Sequence, residues 1–233
     1  MVVGCANGDL RVWSLVTSKV ELVLVGHISE ISGLHMFEAL VASGSEDMSV
    51  RVWNLVTGVC LHVLVGHLGP ICSVQLSHEQ VVSSSTDKTI RIWQIAQPEP
   101  AVSILQGHAS AVVCVVFDKT FLVTGSEDCT IGVWCMKTHH RLLSLKGHTS
   151  TVTCVQHDSL KIVSGSLDRT LKIWDIKHGY CLHTMMVHTG PVWTLFFNDT
   201  TVYSSSFDQT VLVWEFASQC DVKNKICSQN QTC

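Results

Sequence analysis

The sequence predicts an all-β fold built from a repeated four-strand unit, on three observations. Tryptophan recurs at positions 13, 53, 93, 134, 174 and 214, with spacings of 40, 40, 41, 40 and 40 residues. A Gly-His pair recurs at 26–27, 66–67, 107–108 and 147–148, and His188 after Val187 continues the series. An aspartate stands six residues before each later tryptophan, at Asp47, Asp87, Asp128, Asp168 and Asp208, with Asn7 in that place in the first copy. Three markers in one register across the whole chain mean a supersecondary unit that cannot bury its own faces alone. Apolar residues between the markers lack helical spacing and fall in short runs rich in β-branched residues, which selects strands.

One copy shows the order of elements. After His148, TVTCVQHD reads as a first strand and LKIVSGS as a second. Asp168 and Arg169 make a tight turn into the third strand, TLKIWDI. His178 and Gly179 turn the chain into a fourth strand, YCLHTMMV. The first copy starts on a second-type strand, VVGCA, and so carries strands two to four. The last copy carries three strands and then EFASQCDVKNKICSQNQTC, which lacks an apolar fourth-strand pattern and reads as a polar, disordered tail. The expected division is 1–25 (incomplete unit), 26–65, 66–106, 107–146, 147–186, 187–217 (incomplete unit) and 218–233 (tail), with 22 strands.

Composition narrows the functions. The chain is 46% hydrophobic and 15% charged, which suits strands buried on both faces. No run approaches the roughly 18 uncharged apolar residues of a spanning helix. The start, MVVGCANGDL, has no basic segment followed by an apolar one, so no secretory signal is read there. The net charge is -4 and the 15 Lys and Arg are scattered, which disfavours nucleic acid and anionic membrane as partners. Among the 11 cysteines, Cys72, Cys114 and Cys154 read as one slot of the repeat, and Cys60 and Cys181 as another, so they behave as small buried hydrophobes. Reduced thiols in the cytoplasm or nucleus follow, and without Cys-x-x-Cys spacing no zinc site is expected. Cys220, Cys227 and Cys233 fall in the tail, and His139-His140 reads as a solvated turn.

The Gly-His start, the Ser-x-Asp turn and the Trp-Asp or Trp-Asn end resemble the WD repeats, over about residues 1 to 217. The resemblance implies a β-propeller of blades around a central channel. It also implies one hydrogen-bonded network per blade. The five sets are His27, Ser43, Asp47, Trp53; His67, Ser83, Asp87, Trp93; His108, Thr124, Asp128, Trp134; His148, Ser164, Asp168, Trp174; and His188, Ser204, Asp208, Trp214. A second serine two residues on, Ser45 in the first of these sets, is an alternative member. A repeated Ser, His and Asp also suggests a catalytic triad, but a nucleophile needs one exposed site, and five copies indicate a structural unit. Seven blades are usual in that family, so two incomplete end units fit a piece of a longer propeller, with a six-bladed ring as the alternative.

The implied function is a non-catalytic interaction scaffold, without cofactor, metal or small-molecule substrate, that binds other proteins or peptides. Family members often bind peptides on the face of the Asp turns. The candidate side chains there are Glu46, Met48, Thr86, Lys88, Glu127, Cys129, Leu167, Arg169, Phe207 and Gln209, with Trp193 nearby. The spelling from Gly58 to His62, approached by Gly179 to His183, is similar to the F-box subgroup, which implies the substrate receptor of a ubiquitin ligase as the alternative. Readers of phosphorylated peptides in that subgroup carry arginines in two slots. Those slots are read here as Gly33, Ser73, Val113, Thr153, Trp193 and as Glu46, Thr86, Glu127, Leu167, Phe207, with no arginine in either. An unphosphorylated peptide is therefore the expected partner.

Overall fold

The computed structural model describes residues 1–97, 101, 103–186, 188–198, 200–216 and 222–224. These residues form six antiparallel sheets and no helix. The fifth sheet shows the rule: Val152–His157, Lys161–Ser166, Thr170–Asp175 and Cys181–Met186 lie side by side in chain order. Hairpin connection makes neighbours in sequence neighbours in space. The strands are named here inner, second, tryptophan-bearing and outer. The second, third and fourth sheets repeat this order from Ile31 to Val65, Ile71 to Leu105 and Val112 to Lys146.

The end sheets differ. The first has three strands, Val2–Gly4, Leu10–Trp13 and Val20–Leu24, and no inner strand. The last runs from Val192 to Asn224 and has four. Its fourth strand, Val222–Asn224, corrects the expectation of three strands and a structureless tail from 218. Pairing with Val211–Phe216 uses backbone groups alone, so it needs no apolar pattern. The rest of that expectation, with Cys220, Cys227 and Cys233, lies outside the described residues.

The core sits between sheets. The leading face of one blade, for example Ala42, Val50, Val52 and Leu64, packs on the trailing face of the next, Ile71, Val74, Leu76, Val81 and Trp93. The same pairing recurs down the chain. Five tryptophans, Trp53, Trp93, Trp134, Trp174 and Trp214, are almost fully buried. The Arg51 and Arg91 guanidiniums lie 5.9 Å from the ring centres of Trp53 and Trp93. The fourth blade has Gly132 in the arginine's place, where a Cβ would sit 2.7 Å from Thr124 Oγ1. Arg141 from the outer strand covers Trp134 instead, at 5.3 Å, and donates to the Gly107 carbonyl at 2.6 Å.

Inner strands are also bolted to one another by side chains. The Gln75 amide oxygen accepts from Phe117 N at 2.5 Å, that of Gln156 accepts from Phe197 N at 2.8 Å, and His35 Nδ1 accepts from Leu76 N at 3.2 Å. Ser32 and Thr153 donate to the carbonyls of Ile71 and Val192, each in the following blade. The register corrects two alignments made from sequence. Gly33, Ser73, Cys114, Cys154 and Thr194 face equivalent residues, so Cys72 stands one place earlier than Cys114 and Cys154. Likewise the slot of Val113, Thr153 and Trp193 holds Ser32 and Cys72 in the earlier blades, still without arginine. The error is one of counting: from each tryptophan, Cys72 lies 21 residues back and Cys114 and Cys154 lie 20.

Candidate functional site

Each aspartate turn joins the second strand to the tryptophan-bearing strand, at the end where the inner strand begins. The chain therefore brings the histidine before the inner strand against the carboxylate 20 residues later. His Nδ1 lies 2.8–3.0 Å from an Asp carboxylate oxygen in all five blades. His Nε2 lies 2.8–2.9 Å from the hydroxyl of Ser43, Ser83, Thr124, Ser164 or Ser204. The indole N–H of Trp53, Trp93, Trp134, Trp174 or Trp214 donates to that same hydroxyl oxygen at 2.8–3.4 Å.

Chemistry fixes the direction of this chain. Indole is a donor only and a carboxylate an acceptor only. The hydroxyl therefore accepts from Trp, and the Nδ1–H donates to Asp. Burial lowers the affinity of His27, His67, His108 and His148 for a proton, against the opposing pull of their aspartates. In the neutral ring that burial favours there, Nε2 accepts from the hydroxyl. Burial pushes the Asp47, Asp87, Asp128 and Asp168 carboxyls up, but the hydrogen bonds they accept outweigh it and hold each at about 2.

The second serine has a separate job. Ser45 Oγ donates to the Ser29 carbonyl and accepts from Asp47 N, and Ser85, Ser126 and Ser166 act in the same way. Sequence reasoning missed one more member. The hydroxyl two residues after each Asp (Ser49, Thr89, Thr130, Thr170 and Thr210) donates to the carboxylate at 2.6–2.7 Å. The signal was present, because Asp-x-Ser/Thr recurs in all five copies.

Such a set holds a turn in place. The serine and threonine that contact histidine Nε2 are 0–1% exposed and so are closed to a substrate. The residue after each Asp is left-handed: Met48, Lys88, Cys129, Arg169 and Gln209 have φ of 64–71°. That twist turns the side chain outward. Glu46, Met48, Thr86, Lys88, Glu127, Arg169, Phe207 and Gln209 are exposed, while Leu167 and Cys129 are half-buried. Trp193 is exposed on the last inner strand, one residue inside this face. The first sheet lacks the clasp: Asn7 Nδ2 donates to Asp9 at 2.7 Å instead. His139, expected in solvent, is half-buried and bonds Ser103 of the preceding outer strand, while His140 is exposed. No cluster of three or more metal-ligating side chains occurs among the described residues.

Successive antiparallel blades, each packed on the next and clasped at one face, define a repeat protein of the β-propeller class. The model of the WD domain, G-beta repeat, matches residues 18–54, 58–94, 100–135, 139–175 and 179–215, and the chain belongs to that family. Each match begins just before the outer strand of one sheet and ends on the tryptophan-bearing strand of the next. The chain is similar to the crystal structure of the computationally designed Ika8 protein, with 36% identity and a TM-score of 0.85 over 92% of this chain and 67% of that chain. No curated protein matches.

Proposed function

We propose that this chain is a non-catalytic interaction scaffold that binds unphosphorylated peptide segments on the face of its aspartate turns. One observation carries the reading: an identical clasp pins five turns on one face, while the exposed residues on either side of each Asp differ from blade to blade. Pinned turns present their side chains without a further ordering cost on binding, and binding groups concentrate on loops of rigid scaffolds. Glu46 and Glu127 would repel a phosphate, while Lys88 and Arg169 suit backbone carbonyls or acidic side chains of an unmodified peptide. The alternative, a phosphopeptide-reading receptor of an F-box-type ubiquitin ligase, needs cations where those two glutamates stand. The unpaired thiols, such as Cys60, Cys114 and Cys154, suit a reducing compartment, cytoplasmic or nuclear.

The test is a peptide array in matched phosphorylated and unphosphorylated forms, followed by fluorescence anisotropy on the hits. Arg169→Glu and Phe207→Ala should each weaken binding by about tenfold with an unchanged melting temperature. Tighter binding of the phosphorylated member of each pair, or indifference to both substitutions, overturns the reading.

A further inference from the structure

The loops that join inner to second strands lie at the end of the blades opposite the aspartate turns. At that end a cavity of about 860 Å³ opens among three consecutive four-stranded blades. The second blade contributes His35 and Phe37, and the third contributes Gln75 to Gln80. The fourth contributes Phe117, Asp118, Lys119 and Met136.

One residue explains why the space is open here. Opposite the residue that follows the tryptophan, the second strand carries Leu40 in the second blade and Phe121 in the fourth. Each joins the core of the junction with the next blade. The third blade has Gln80 in that place. An amide packed there without a partner would be costly to bury. Met136, which holds the place of Ile95 and Ile176 two residues after the tryptophan, therefore stays half-buried in the cavity wall, whereas Ile176 is 1% exposed.

The cavity also holds a hydrogen-bond donor with a fixed position. Gln75 spends both ends of its amide on Phe117, accepting from its N and donating to its carbonyl at 3.4 Å. His35 stands in the same slot one blade earlier and accepts from Leu76 N through Nδ1. A backbone N–H only donates, so the ring hydrogen of His35 is on Nε2, on the far side of the imidazole. Burial lowers the affinity of this ring for a proton, which keeps it neutral. The floor is apolar, from Phe37, Leu76, Phe117 and Met136, and the rim is exposed and charged, from Glu79, Asp118 and Lys119 with His78. Asp118 Oδ1 accepts from Thr120 N and Phe121 N, and its Oδ2 lies 3.8 Å from His157 Nδ1 of the fifth blade. With histidine neutral, two carboxylates against one lysine make the rim attractive to a cation.

We propose that this cavity is a second peptide site, on the face away from the aspartate turns, for an extended segment with a large apolar side chain beside a Lys or Arg. The apolar side chain fills the space that Gln80 leaves open next to Met136. A backbone carbonyl of the segment accepts from His35 Nε2–H, and the basic residue meets Glu79 and Asp118. A cavity of this volume is in the range of ligand pockets, and one short segment supplies all three groups from adjacent residues.

Nuclear magnetic resonance of the full chain with methyl-labelled methionine tests this, because Met136 lines the cavity and Met48 flanks an aspartate turn. Met136→Leu identifies the Met136 signal. The probes are acetylated, amidated heptapeptides Gly-Ser-Arg-X-Arg-Ser-Gly, with Leu, Met or Phe at X. The expected result is a saturable shift of Met136 with Met48 unmoved. Asp in place of both Arg, or Gly at X, should weaken the binding by about tenfold or more. Gln80→Leu, which gives the third blade the residue of the second, should abolish the binding with the melting temperature unchanged or raised. Glu79→Lys, at an exposed position, should weaken it by about tenfold with the fold intact. An unmoved Met136 with all three probes at millimolar concentration overturns the proposal. So does binding that the Asp probe or Gln80→Leu leaves undiminished, or a shift of Met48 without Met136, which would put the peptide on the aspartate-turn face.

Discussion

The fifth blade and the first sheet show what the clasp and the inner strand contribute. Around Trp174, the indole is 1% exposed and ends a chain of hydrogen bonds running through Ser164 and His148 to Asp168. Around Trp13, Val3 replaces the serine, Asn7 replaces the aspartate, and no histidine or inner strand precedes them. The same tryptophan in the same strand is thus a buried anchor in one place and a half-buried side chain in the other. The lesson is that the tryptophan marks the repeat, while the network and the two flanking blades give it its energetic weight.

The largest expected difference lies in the tryptophans themselves. Trp93→Ala should cost about 3–5 kcal/mol, as for a large core side chain that leaves a cavity. Trp13→Ala should cost roughly 1–2 kcal/mol, since less apolar area is withdrawn from water. Urea denaturation of the two variants decides it, and equal losses would erase the contrast. Next comes the carboxylate. Asp168→Ala strands a buried imidazole N–H and two backbone N–H groups and should cost about 1–3 kcal/mol. Asn7→Ala removes only exposed contacts and should stay within about 0.5 kcal/mol.

Acid should act on the clasped blades alone. The buried imidazoles of His27, His67, His108 and His148 have folded values below 6.5, so the unfolded chain takes up protons first as pH falls below that value. Their contribution is present above 6.5 and is lost on acidification. The aspartates follow with the same sign, because folded values of about 2 lie below the ordinary 3.8. Thermal melts should show stability falling below about pH 6.5 and falling again below about pH 4. A profile flat from pH 7 to 5 would contradict the neutral imidazoles. The smallest effect concerns the turn itself. Lys88 is left-handed at φ 71°, where glycine is unstrained but loses more entropy on folding. Lys88→Gly should therefore leave stability within about 0.5 kcal/mol of the parent.

Much of this was legible in the sequence, for a physical reason. A strand repeat that must stack on itself meets one environment over and over, so its requirements recur at a fixed period. That is why the Gly-His, Asp and Trp markers stood out. The hydroxyl after each Asp recurs as faithfully and was overlooked, since serine and threonine also abound in ordinary turns. Features made once could not be read. Val222–Asn224 pairs through its backbone, which leaves no side-chain pattern. Arg141 takes over from the missing arginine at Gly132 across two strands, a substitution visible only in space. The interblade bolts of Gln75 and Gln156 lie 41 or 42 residues from their partners, beyond any local window.

The repeat unit and the blade are out of phase, since the unit spans an outer strand and the first three strands of the next sheet. Removing one whole unit, residues 100–135 for example, would join the tryptophan strand of one blade to the outer strand that belongs to another. The hybrid sheet would still have four strands in the usual order. The arc could therefore shorten or lengthen by one unit without exposing a new sheet edge, a tolerance that blades cut at their own boundaries would share but without a covalent strap across every junction.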